Sequence, residues 1–250
     1  MSNLYPVAGC RIYIGGVLNP GLEDFELADF DGQTWTEIDG WSTMGSFGDT
    51  ATLITTALIN RGRDVKQKGT TNAGSMQNVF ASIQDDPGQI ALIAAGAGAV
   101  KDNYAFRLDF NDAVQPVSST VTITIASPGV VTWTAHGLVA GTPVSFSTTG
   151  ALPTGITAGT TYYVMETGLT ANSFQISATP GGAAIDTTGT QSGTHTATTV
   201  PAPSSAYFSA LVMTTAQAGG EANTIRNINA TLEINSNIVF VEPIPAPPAP

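Results

Sequence analysis

Between Val117 and Pro203 the chain carries no lysine or arginine and only two acids, Glu166 and Asp186. Residues 1–116, in contrast, hold seven of the eight basic residues and fourteen of the nineteen acids. A step of that size in charge density marks two modules with different surface chemistry in one polypeptide. Within the charge-poor stretch, short apolar runs (V-T-I-T-I, V-V-T-W-T, P-V-S-F-S, T-Y-Y-V-M, S-F-Q-I-S) are broken by H-G, A-G, P-T-G and P-G-G turns. That rhythm predicts a small all-β barrel or sandwich of five or six strands. After Pro203 the first texture returns, in S-A-Y-F-S-A-L-V-M and I-R-N-I-N-A-T-L-E-I-N-S-N-I-V-F-V. The expected organisation is therefore one β-domain formed by 1–116 and 204–241 and interrupted by a second at 117–203. A proline-rich tail, 242–250, should form an extended arm.

The flanks favour an insertion over a tandem arrangement. In N-Y-A-F-R-L-D-F, Tyr104, Phe106, Leu108 and Phe110 alternate with Asn103, Ala105, Arg107 and Asp109, the period of a half-buried strand. A second strand is expected over 205–214, and without the insert the two would be joined as a hairpin, whose tip tolerates a foreign domain. Ile228, Ala230, Leu232 and Ile234 alternate with Asn227, Asn229, Thr231 and Glu233, which gives one buried and one wet face. One helix is signalled: Asp86 as cap, Pro87 in the first turn, Gln89 completing a capping box, and Ile90, Ile93, Ala94 and Ala97 on one stripe. Gly96 or Gly98 would end it. Met76, Val79, Phe80 and Ile83 also have helical spacing, so that stretch reads either way from its residues.

Composition narrows the functional classes. A net charge of -11 and a pI near 4.3 argue against gripping nucleic acid by counterion release, though not against letting it slide past. Cys10 is the only cysteine, which rules out an intrachain disulfide or a cysteine-based zinc cluster. The opening M-S-N-L-Y-P-V-A-G-C has neither the basic nor the apolar region of a secretory leader, so none is expected. The longest apolar run, Ile90 to Val100, is too short to span a bilayer. His136 and His195 stand 59 residues apart with no H-E-x-x-H signature and no paired nucleophile. The acid pairs Glu23-Asp24 and Asp85-Asp86 read as a loop and a helix cap, and Gly96-Ala97-Gly98 follows a helix where a phosphate-cradling loop would open one. No catalytic residue, metal site or cofactor is expected. Arg61, Arg63, Lys66 and Lys68 form the one basic cluster, either a solvated hairpin or loop, or a contact for acids of a neighbouring subunit.

Several of these runs occur in a telling order: T-W-T-E-I-D-G at 34–40, G-S-F-G-D-T at 45–50, I-T-T-A-L-I with R-D-V-K-Q-K-G-T, D-D-P-G-Q-I-A-L-I-A-A, Y-A-F-R-L-D-F and N-A-T-L-E-I-N-S-N-I. In that order they resemble the major tail tube proteins of long-tailed bacteriophages, over 1–114 and 204–250. The resemblance implies a mainly β fold, a barrel-forming sandwich flanked by one helix, with a strand at 76–83. It also implies a structural role in the virion: six subunits per ring, and rings stacked through a long loop and the N-terminal arm into a pipe for DNA. The implied partners are further copies of the chain and the tail tip, tape measure and terminator proteins, in a virion assembled in the bacterial cytoplasm. On that reading Arg61, Arg63, Lys66 and Lys68 are inter-ring contacts, Asp109 and Glu233 face an acidic lumen, and DNA passes without specific binding. The insert's H-G-L-x-x-G-T-P-V and T-Y-Y-V resemble small β-modules that decorate phage structural proteins, similar in fold to a catalytic-cysteine half-domain of ubiquitin-activating enzymes, and should lie outside the tube. Having no cysteine, it inherits no such activity. The competing reading is a carbohydrate-binding or adhesin-like β-protein with Trp133, Tyr162 and Tyr163 as stacking platforms.

Overall fold

The computed structural model of the chain describes residues 4–243. They form two compact units, 4–111 with 204–242 and, separately, 112–203. The first three residues of the expected N-terminal arm, and the expected proline-rich tail from residue 244 onward, lie outside the described residues. The protein is mainly β with one α-helix. The first unit begins with β1 (Arg11–Val17), β2 (Thr36–Glu37), β3 (Trp41–Thr43), β4 (Thr50–Thr56), β5 (Val65–Asn72), β6 (Ser75–Ala81), α1 (Pro87–Ala95) and β7 (Tyr104–Asp109). The second unit holds β8 (Ser118–Ile123), β9 (Val131–Thr132), β10 (Pro143–Thr148), β11 (Thr161–Val164), β12 (Ser173–Phe174), β13 (Ile176–Ser177) and β14 (His195–Thr199). The chain then returns to the first unit as β15 (Ser205–Gln217), β16 (Asn227–Ile234) and β17 (Val239–Val241).

The alternation in Y-A-F-R-L-D sets the centre of the first unit. β7 pairs antiparallel with β15 from Asp109 opposite Ser205 to Tyr104 opposite Ala210, a hairpin whose connection is the whole second unit. Cross-strand partners share a side of a sheet, so Phe106 meets Phe208, with ring centroids 5.8 Å apart. The sheet runs β2-β1-β7-β15-β16-β6-β3, with β17 beside the first residues of β15. Both ends of that path belong to the single stretch 36–43, which is bonded to β1 through Ile38 N to Ile12 O (2.9 Å) and to β6 through Ala81 N to Gly40 O (2.7 Å). The sheet therefore curls around its core. Asn78, buried on the core side, pins the closing segment by accepting from Trp41 Nε1 at 3.0 Å and from Gly45 N at 3.1 Å. The stretch around Met76 and Phe80, ambiguous by spacing, is strand β6.

Helix α1 starts where Asp86 accepts from Gln89 N at 2.7 Å, with Pro87 in its first turn, and it is capped at Gly96. Two details correct the sequence expectation. Gln89 does not close a capping box: its side chain accepts from Ile83 N and donates to the carbonyls of Asp39 and Ala81, clamping the helix to the 36–43 segment. The buried face is Gly88, Gln89, Leu92 and Ala95, while Ile90 and Ile93 are 58% and 41% exposed. The sequence P-G-Q-I-A-L-I-A-A is apolar on every side, so periodicity alone cannot choose a face. Close approach chooses it, because a Cβ on Gly88 would overlap the Glu37 carbonyl oxygen.

In the second unit the path is β12-β9-β8-β14-β10-β11-β13. Its two ends, β12 and β13, are separated only by Gln175. The sheet thus closes on itself into a small barrel of six strands, counting β12 and β13 as one kinked strand, and closure leaves no long edge to pair with another chain. Phe146, Phe174, Val144 and Ile176 fill the interior. His136 is almost fully buried there: Nδ1 accepts from Leu138 N at 2.9 Å, and the ring stands edge-on to Phe174 with centroids 5.2 Å apart. Its Nε2 has no hydrogen-bond partner among the described residues. Burial lowers the pKa below the ordinary 6.5, against smaller opposing effects of the Ser173 and Thr170 backbone.

A histidine with a depressed folded pKa contributes stability that is fully present above its unfolded pKa and is lost as pH falls through the folded value. The barrel should therefore lose stability below about pH 6.5 beyond what its carboxylates explain. Thermal melts of wild type and His136→Gln should converge as pH falls through that window, and melts that stay parallel would show that His136 does not titrate with unfolding.

Candidate assembly surfaces

β4 and β5 pair only with each other, as a two-stranded sheet apart from the main one. Strands of seven and eight residues make a hairpin about 25 Å long at about 3.3 Å per residue. Nearly all its residues are exposed. The register places Leu53, Thr55, Lys66 and Lys68 on one side and Ile54, Thr56, Val65 and Gln67 on the other. One side is therefore basic and the other uncharged. Arg61 and Arg63 stand in the turn, where Arg61 N donates to Leu58 O at 3.0 Å. All four bases of the predicted cluster thus occupy one projecting hairpin, and none forms an ion pair among the described residues. Exposed aliphatics accompany them: Leu53, Ile54, Leu58 and Ile59, the last fully exposed. A two-stranded ribbon is marginally stable alone, and its open edges and bare aliphatics fit a surface that is covered in an assembly.

The second surface is the side of the main sheet opposite the core. By register Glu233 lies between Leu211 and Ser75, and Thr231 lies between Thr214 and Gln77. Next along β16, Asn229 is exposed beside exposed Ala216. This field is small, polar and nearly uncharged. Glu233 is its carboxylate, half-buried and in no ion pair among the described residues.

Asp109, the other expected lumen residue, lies on the same side of the sheet, but it is neither bare nor unpaired. Arg107 Nη2 donates to Asp109 Oδ2 at 3.0 Å and Ser205 Oγ donates to Asp109 Oδ1 at 2.8 Å. The Arg107 and Asp109 side chains are only 23% and 18% exposed. The covering groups are aromatic: the Arg107 guanidinium lies 4.1 Å from the Tyr13 ring centroid and 5.5 Å from that of Trp35, and Trp35 packs edge-on against Tyr207. Burial also raises the Tyr207 pKa, so this phenol stays neutral. Alternation within β7 could not reveal the cover, because Trp35 and Tyr13 arrive from distant sequence.

Two of the three aromatic platforms of the competing reading are not free for stacking. Trp133 and Tyr162 are buried in the barrel core, and Tyr162 Oη accepts from Thr157 N at 2.8 Å. Tyr163 is half-buried. His195 bridges Thr148 and Gln191. A cleft of about 330 Å³ beside the hairpin base is lined by Asp24, Asp49, Asn72 and the Asn235–Asn237 turn. Among the described residues no group of three or more His, Cys, Asp or Glu is placed to hold a metal ion, and no helix is long and apolar enough to cross a membrane. No protein-family model matches the chain, and no curated protein matches it.

Proposed function

We propose that this protein is a structural subunit of a bacteriophage tail tube, assembling as rings, six copies to a ring, that stack into a hollow pipe for DNA. The observation that carries the reading is the detached β4–β5 hairpin, with exposed aliphatics and, among the described residues, unpaired edges and four bases in no ion pair, in a chain of net charge -11. Such an element is suited to joining subunits. The ordered resemblance of the sequence segments supports the same reading, as does a curled sheet with a polar outer field along β16. No reaction is assigned. The other partners this reading implies are tail tip, tape measure and terminator proteins.

In this proposal the field around Glu233 lines the pipe. A polar wall with a carboxylate repeated in every subunit repels phosphate and offers DNA nothing to hold. Asp109, neutralised by Arg107, adds little. Glu233→Lys should assemble as wild type does, yet its tubes should retain short duplex DNA at about 50 mM salt and release it near 200 mM. Tubes of Glu233→Lys that ignore DNA at low salt would remove Glu233 from the lumen.

Sedimentation velocity across a concentration series tests the assembly itself. The expected result is discrete rings giving way to long polymers. A single monomeric species at every concentration would overturn the proposal.

A further inference from the structure

Two apolar surfaces of the first unit are left bare, and they differ in shape and in charge. One is the outward side of α1: Ile90 and Ile93, 58% and 41% exposed, flanked by Ile83 at 40%. Ala94 and Ala97 are exposed on the same side. The patch is acidic at the helix N-terminal end, where Asp39 and Asp85 are exposed and Asp86 caps, while at its other end Lys101 Nζ donates to Gly98 O at 2.9 Å. None of the three is in an ion pair among the described residues. The other surface is the hairpin end, with Leu58 and Ile59 exposed among Arg61, Arg63, Lys66 and Lys68. A helix apolar all round is a helix meant to be covered all round, and bare aliphatics with a charged rim are the anatomy of an interface. Within one chain the two surfaces do not meet, since the hairpin aliphatics and the helix isoleucines are exposed together.

We propose that the outward face of α1 is the receptor for the β4–β5 hairpin end of a neighbouring copy of this chain. Leu58 and Ile59 pack on Ile90, Ile93 and Ala97, while the hairpin bases lie against Asp39 and Asp85. The contact joins two different surfaces, so each copy keeps one free donor and one free receptor, and the association repeats until a ring closes or a polymer extends. Electrostatic matching would also select against the reverse pairings, hairpin on hairpin and helix on helix, which set like charges together. The proposal rests on the tube reading and names the surface that receives its hairpin.

The test uses the full chain with Cys10→Ser. Copies bearing Ile59→Cys are mixed with copies bearing Ile93→Cys under assembling conditions and treated with a short bismaleimide. The expected product is a covalent dimer that requires both variants. In parallel, the double variant Ile90→Lys with Ile93→Lys should melt as wild type does but need at least about tenfold more protein to assemble, because it sets ammonium groups in an apolar contact facing a basic hairpin. Assembled protein giving no mixed dimer, or cross-linking Ile93→Cys to itself, overturns the proposal and leaves the tube reading standing. Assembly of the double lysine variant at the wild-type concentration does the same. A wild-type chain that never assembles contradicts the tube reading as well.

Discussion

Replacing Arg61, Arg63, Lys66 and Lys68 together by serine should leave the protein folded and stop it polymerising. The two halves of that result have different causes. The four side chains stand on an exposed hairpin whose strands pair with no other strand among the described residues, and exposed charges of that kind contribute between nothing and about 1 kcal/mol each. The melting temperature should therefore stay within a few degrees of wild type. In the proposed assembly the same groups would meet acids of a neighbouring copy, and every subunit would repeat the loss. Light scattering should show polymer at wild-type concentrations for the native chain and none for the variant. Undiminished polymer would take the hairpin out of the interface.

The opposite behaviour is expected at Phe208. Its ring is fully buried, stacked on Phe106 and tilted against Phe47, whose own ring stacks on Phe110 and Phe240. Phe208→Ala empties the point where β7, β15 and the 44–49 segment meet, a loss of about 3–5 kcal/mol for an aromatic in a packed core. Denaturant titration should place most of that loss in the first unit. The second has its own core, so its transition should persist, and a single transition shifted as a whole would mean that the two units unfold together.

Legibility from sequence follows the range of the interaction that decides each feature. Strand β16 was readable because its two faces are chemically distinct along the strand, Ile228, Ala230, Leu232 and Ile234 against Asn227, Asn229, Thr231 and Glu233. The start of α1 was readable because its cap is local, Asp86 to Gln89. Which side of that helix is buried was not, since Ile90 and Leu92 are equally apolar and the choice is made by Gly88 meeting the Glu37 carbonyl, some fifty residues away. The cover over Asp109 was hidden for the same reason: its partner Arg107 is two residues off, but the Tyr13 and Trp35 rings that hold the pair out of water come from β1 and the segment before β2. The basic cluster was visible as composition, whereas its segregation to one side of a ribbon depends on the register of β4 against β5, with an irregularity between Ala51 and Leu53 that no alternation pattern discloses.

Electron cryomicroscopy of the purified protein at assembling concentration tests the central claim most directly. The account predicts hollow filaments of stacked six-membered rings, with the β4–β5 hairpin seated on a neighbouring subunit and Glu233 facing the channel. Particles that remain single copies, or filaments without a channel, would contradict it.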